Sequence, residues 1–255
     1  MHPLPWSKAA AMNTPETLEL LYLDERLCAI AKPAGIMVHR TGISADRVFL
    51  VDLLRERLDR RIWTVHRLDR ATSGVLLFAL DVDMAAEMGR LFEAGEIDKR
   101  YLAVLRGWLD DSGEIDKPLS GARNKTREAL TRYRRLATTE LPVAVPPHET
   151  ARYSLAEIAP RTGRTHQIRR HFNHISHPIV GDVNHGDRRH NRLFRDRFGC
   201  HRLLLHAMSL EFPYPGSQRT VNIGAPLPEK FLAVAGALGW PDALADMSAI
   251  KQESN

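Results

Sequence analysis

Residues 75–80 read VLLFAL, six apolar residues in a row directly behind the turn Thr72-Ser73-Gly74. An uninterrupted apolar run of that length, bounded by a turn, is the pattern of a buried strand, so the chain must build a sheet and cover it. The stretch in front, HRLDRATSG (66–74), sets one carboxylate, Asp69, between Arg67 and Arg70 at the strand's edge. Two readings fit. One is a salt-bridged turn. The other is a carboxylate kept ionised by neighbouring positive charge, which suits a nucleophile better than a general acid. A turn held by a rigid strand is a common seat for functional residues.

The remaining patterns say what surrounds that strand. LELLYL (18–23) and LCAIAKP (27–33) read as a hairpin across Asp24-Glu25-Arg26. Leu50, Leu53, Leu54 and Leu58 recur at helical spacing, and DMAAEMGRLFEAGE (83–96) is a second amphipathic helix ending near Gly95. KRYLAVLRGW (99–108), TRYRRLATTEL (131–141), ARYSLAEIAP (151–160) and LLLHAMSLEF (203–212) read as further strands. RTGRTHQIRRHFNHI (161–175) turns at a glycine and becomes helical with Thr165 as its expected N-cap, and PEKFLAVAGAL (228–238) closes as a helix. Strands outnumber helices and several run in succession. The expectation is one α+β domain over 18–240, a mixed and largely antiparallel sheet with flanking helices, between an N-terminal arm (1–17) and a tail (241–255).

The charge is unevenly placed. The whole chain carries +5, yet residues 161–206 alone hold ten arginines and no lysine against three aspartates, a net of +7. A second run, RNKTREALTRYRR (123–135), has six basic residues against one glutamate. Arginine in preference to lysine suits bidentate phosphate contacts and stacking on bases, and clustered charge is the footprint of a nucleic-acid partner. No run of eighteen apolar residues offers a membrane span, and the first residues lack an apolar signal region. Two distant cysteines, Cys28 and Cys200, suggest no disulfide framework and fit a cytoplasmic protein.

Chemistry concentrates in TGRTHQIRRH (162–171), where a helix would set His166, Arg169 and Arg170 within one turn. Zinc has to be weighed, because His166, His171, His174 and His177 crowd together. Their spacing is not HExxH, no cysteine or acid sits among them, and interleaved arginines would repel a dication, so no metal site is expected. Tyr101, behind Lys99 and Arg100 in KRYLAV, is either a packing residue or, in a nucleic-acid enzyme, one that stacks on a base or shuttles a proton. No P-loop, GxGxxG or GxSxG elbow occurs.

HRLDRATSGVLLFA, KRYLAVLRG, RTGRTHQIRRHFNHISHPIVGD and LLLHA stand in the order found in pseudouridine synthases of the RluA type, which the chain resembles over roughly 18–225. GDVNHGDRRHNR (181–192) and LGW (238–240) resemble the branch that modifies uridine 65 in the T stem of tRNA. The resemblance implies a catalytic Asp69, a base-displacing Arg67, an active-site Tyr101 and an Arg169 paired with the aspartate. It implies the pseudouridine synthase catalytic fold without the S4 RNA-binding domain many members carry, for which the chain has no room. RNA contacts are then expected from Arg67, Arg164, His166, Arg170, Arg188, Arg189 and Arg192. The expected partner is tRNA, bound by a cytoplasmic monomer with no cofactor. Ribosomal RNA is the alternative substrate, and a zinc-dependent RNA hydrolase or a non-catalytic RNA-binding module are the rival classes.

Overall fold

A computed structural model of the chain describes residues 18–39, 48–121 and 125–245. The expected arm at 1–17 and residues 246–255 lie outside the described residues. Strands β1 (Leu20–Leu23) and β2 (Leu27–Lys32) pair antiparallel. Their turn is fastened by Asp24, whose Oδ1 accepts from the amides of Arg26 at 2.8 Å and Leu27 at 2.7 Å. Helix α1 (Leu50–Leu58) follows, then β3 (Trp63–Thr64), β4 (Ser73–Ala79) and helix α2 (Val82–Ala94). Asp81 caps α2 by accepting from Met84 N at 2.7 Å, and Gly95 ends it in the left-handed region at φ 75°.

The chain continues through β5 (Asp98–Arg106), β6 (Ser112–Asp116), β7 (Leu119–Ser120), β8 (Thr126–Arg127), β9 (Leu130–Leu141) and β10 (Ala151–Pro160). Helices α3 (Gln167–His174) and α4 (Arg188–Phe198) precede β11 (Leu205–Pro213), β12 (Thr220–Gly224), α5 (Glu229–Ala237) and α6 (Pro241–Ala245). Ten strands form one sheet in the order β1-β2-β4-β11-β5-β10-β9-β6, with β3 on β4 and β12 on β11. β7 and β8 make a separate ribbon. Helix α4 and the strands of 112–127 have no counterpart in the periodicity reading. The segment expected as a tail opens with α6, whose Leu244 is buried with Trp240 in the same apolar cluster.

Every residue of β4 is buried, and its alternation feeds two layers. Leu76 and Phe78 pack with Leu50 and Leu54 of α1; Val75, Leu77 and Ala79 pack with Met84 and Met88 of α2. On β5 the residues Ala103 and Leu105 meet Ile168 and Phe172 of α3, while Leu102 and Val104 face the cluster holding Phe194 of α4. Tyr101 is packed against both the α1 and the α3 clusters and so sits at the seam between them.

One pairing in the sheet is parallel, that of β4 with β11, where Ser73 faces His206 and Gly74 faces Ala207. Gly74 has φ 118°, and a Cβ there would stand 2.0 Å from the carbonyl oxygen of Ala207. The glycine of the TSG turn is therefore a requirement of backbone contact. Beside it Ser73 Oγ lies 2.8 Å from His206 Nδ1 and accepts from Arg202 Nη2 at 2.6 Å, so the start of β11 is bonded to the start of β4.

Candidate active site

Asp69 sits just before this seam, on a turn in which its carbonyl accepts from Thr72 N at 3.1 Å. Lys32 holds the turn from beneath. It is 1% exposed, and its ammonium donates to the carbonyls of Pro33 (2.9 Å), Arg70 (3.1 Å) and Thr72 (2.8 Å). Three acceptors match the three protons of an ammonium group, while burial pushes the amine down to about 7. His66 fixes the approach: its Nε2 accepts from Leu77 N at 2.9 Å and its ring stacks on Phe92 at 4.8 Å. Burial, then the charge of Lys99, lowers this imidazole to about 3, so it is neutral and serves as an acceptor.

The carboxylate of Asp69, its side chain 22% exposed, accepts from Arg169 Nη1 at 3.1 Å. Arg169 is 4% exposed and reaches the other way with a fork, Nε to Asp182 Oδ2 at 2.7 Å and Nη2 to Asp182 Oδ1 at 2.8 Å. Asp182, 2% exposed, also accepts from the amides of Asn184 at 2.9 Å and His185 at 3.0 Å. Burial raises its pKa, but the bonds from Arg169 and the two amides outweigh that and leave it below the usual carboxylate range. One buried guanidinium thus bridges two carboxylates, a geometry lysine cannot supply. Asp182 is a residue the sequence reading missed; Gly181 and Gly186 on either side of it were the signal, since a Cβ at 186 would meet the Asp182 carbonyl at 2.1 Å.

A cavity of about 410 Å³ opens over this arrangement, lined by Arg67, Asp69, Lys99, Tyr101, Arg164, His166 and Arg169 among others. Burial, then the charge of Asp69, pushes the Tyr101 phenol up, so it stays protonated at neutral pH. Arg67 is exposed at the mouth and has no protein partner among the described residues. Arg70, the other flanking arginine, turns away and donates from Nε to Gly35 O at 2.9 Å. Arg164 stands in the lining with Nε on Glu128 O at 3.0 Å. Lys99, also unforeseen, enters the cavity with its amine lowered to about 8 by burial and then by Arg161 and Arg164.

The helix carrying Arg169 starts differently from the expectation. Its N-cap is His166, in the left-handed region at φ 53°, and no side chain caps it. Gln167 fastens the turn instead, its Oε1 accepting from Thr162 Oγ1 at 2.6 Å and Arg164 N at 3.0 Å. Arg170 points out of the cavity, to Ser120 O at 2.9 Å and Ser120 Oγ at 3.1 Å. Arg188, Arg189 and Arg192 lie exposed on α4, outside the cavity lining. The histidine cluster is dispersed: His166 faces His185, His171 faces Lys117 O, and His177 faces Arg106 O.

Residues 26–174 match the RNA pseudouridylate synthase family. The chain belongs to that family. It is 42% identical to a tRNA pseudouridine synthase C of Vibrio cholerae over 239 residues, 89% of this chain and 98% of the relative. A tRNA pseudouridine synthase C of Salmonella typhi is 42% identical over 241 residues, covering 90% of this chain and 93% of the relative. Among solved structures, human RNA pseudouridylate synthase domain containing 4 superposes with a TM-score of 0.68 at 25% identity, over 87% of this chain and 93% of that one. The family match spans HRLD, Tyr101 and GRTHQIRRH, the segments that bring Asp69, Tyr101 and Arg169 to this cavity.

Proposed function

We propose that this synthase isomerises uridine to pseudouridine in tRNA, at uridine 65 of the T stem, acting as a monomer without metal or cofactor. The observation that carries the reading is the Asp69 carboxylate, gripped by buried Arg169 at 3.1 Å in a cavity that also holds Tyr101. The reaction breaks N1–C1′, turns the uracil and joins C5 to C1′; C5 loses its proton and N1 gains one, so atoms balance without water. A glycosidase needs a second carboxylate to manage water or the leaving group. Here uracil stays in the pocket, and Asp69 acts alone at the sugar, as nucleophile at C1′ or as base at C2′.

The target must leave its stack, which costs a few kcal/mol. Arg67, exposed at the mouth, fills the space left behind, and Tyr101 packs on the uracil in a pocket closed to water. The tRNA assignment is supported by the two relatives named for tRNA and by the likeness of GDVNHGDRRHNR to the tRNA branch. The exposed arginines of α4 supply a grip on folded RNA, whose duplexes are recognised by shape and backbone more than by sequence. The test is to incubate purified protein with unmodified tRNA and 23S rRNA transcripts and map the product. Pseudouridine at T-stem position 65 is expected, and it should still form after zinc chelation, because no hydrolytic water has to be activated. Modification confined to rRNA would overturn the substrate and leave the enzyme class standing.

A further inference from the structure

Asp182 holds a second arm besides Arg169. Its Oδ1 accepts from the backbone amide of His185, and His185 Nε2 lies 3.0 Å from Nδ1 of His166. The two rings meet edge to face, 75° apart. The far nitrogen of His166, Nε2, then faces Asp69 Oδ1 at 3.9 Å, while Arg169 occupies Oδ2 of the same carboxylate. Two arms thus leave Asp182 and converge on the two oxygens of Asp69. His166 reaches across because its backbone takes φ 53°, a left-handed conformation that non-glycine residues adopt rarely and that concentrates at functional sites.

The hydrogen bond between two imidazoles has a direction. Burial lowers both histidines, helped by Arg169 and opposed by Asp182 at both and by Asp69 at His166, so both are neutral at neutral pH and one proton lies between them. If His166 were the donor, its Nε2 would carry a lone pair facing the Asp69 carboxylate, which is repulsive. If His185 donates, His166 holds its proton on Nε2 and presents a donor beside Oδ1. The partner of one ring nitrogen decides the state of the other. We propose that His185 is a positioning residue for Asp69: it donates from Nε2 to His166 Nδ1 and so fixes the tautomer that aims His166 Nε2–H at the reacting carboxylate. The donor stands where Oδ1, or a substrate oxygen bound against it, receives it. This rests on the reading of Asp69 as the group that acts on the uridine.

The experiment has one readout that needs no RNA and one that does. Long-range proton–nitrogen NMR of the wild-type protein, with His166 assigned by its absence from H166Q, should find His166 protonated on Nε2 and bare on Nδ1. H185F, which keeps a ring and removes the donor, should give a mixture of tautomers. In turnover of a tRNA transcript, H185F should lower kcat about tenfold, the worth of one neutral hydrogen bond, with KM unchanged. H185Q, whose amide nitrogen can occupy the place of Nε2, should recover most of the loss. A proton on Nδ1 of wild-type His166 would overturn the proposal whatever the variants do, and so would an unchanged kcat in H185F. Wild-type protein that makes no pseudouridine would sink the functional reading instead, with the tautomer measurement still deciding the dyad.

Discussion

The arginines of β9 and those of α4 sit in different electrostatic situations. On β9, Arg132 stands 2.6 Å from Glu114, Arg134 is 3.5 Å from Glu157, and Arg135 is bonded to Asp111. On α4, Arg188 and Arg192 meet no carboxylate among the described residues, Arg189 reaches the carbonyl of Pro146, and only Arg195 has an acidic neighbour, Asp196 at 3.8 Å. A guanidinium already neutralised across a strand pair has little to offer a phosphate, because nucleic-acid affinity grows with counterions released by unpaired charge. Arg169 is a third case, buried and fully committed to two aspartates. Positive charge in this molecule therefore divides into salt-bridged strand arginines, one buried arginine between two aspartates, and exposed helix arginines that meet no carboxylate among the described residues.

The sharpest way to break that division is to remove the group Arg169 serves. Asp69→Asn should lower turnover by a factor on the order of 10⁴ while tRNA affinity stays close to wild type, measured by single-turnover kinetics beside a binding titration. Substantial activity in a clean preparation would remove Asp69 from the chemistry. Arg169→Ala should come next, costing ~3–5 kcal/mol in a denaturant titration, because Asp182 is left buried without its partner, and lowering activity as well. Arg169→Lys should rescue little, since an ammonium cannot fork to one carboxylate and bond a second. If Arg169→Ala behaved like Arg164→Ala, with mild loss of RNA binding alone, the committed class would not exist.

Charge reversal at Arg188 and Arg192 should act on KM, leave the fold intact by circular dichroism, and flatten the salt dependence of binding by about one unit per lost phosphate contact. The smallest effect belongs to β9. Arg132→Ala with Arg134→Ala removes exposed ion pairs worth about 0–1 kcal/mol and should leave KM and its salt slope where they were. A KM rise matching that of the α4 variants would erase the contrast between the two regions.

Much of the fold was legible because apolar periodicity and turn chemistry agree along the hairpin, β4, α2 and the long strands. Helix α4 was not, since RRHNRLFRDRF offers only His190 and Phe194 as buried residues and reads as charge. Within the 123–135 run, a count along the sequence does not show that Arg132, Arg134 and Arg135 pair with Glu114, Glu157 and Asp111, remote neighbours supplied by sheet pairing. At the site, Asp69, Tyr101 and Arg169 were named from motif resemblance, and their meeting in one cavity is a fact of topology. Lys32 and Asp182 escaped notice because charged residues are seldom fully buried, and only the carbonyls around one and the guanidinium against the other make those positions tolerable. Thr165 was a reasonable cap by residue type, but a strained His166 displaced it where the helix has to aim a ring at Asp69.

The parallel seam of β4 and β11 has a consequence for the order in which the molecule comes into being. Ser73 and His206 are separated by 133 residues of chain, and Asp69 and Arg169 by 100. Closing loops of that length carries an entropic toll that local hairpins such as β1–β2 do not meet, and contacts of such range form slowly. A chain emerging from the ribosome can shape its first hairpin and α2 early, and Lys32 can brace the aspartate's turn from β2, yet that turn lacks its parallel neighbour until β11 has been synthesised. The seam beside Asp69 therefore closes only after the 133 residues that separate Ser73 from His206 have been joined, and a nascent chain truncated before Leu205 carries Asp69 without that parallel strand.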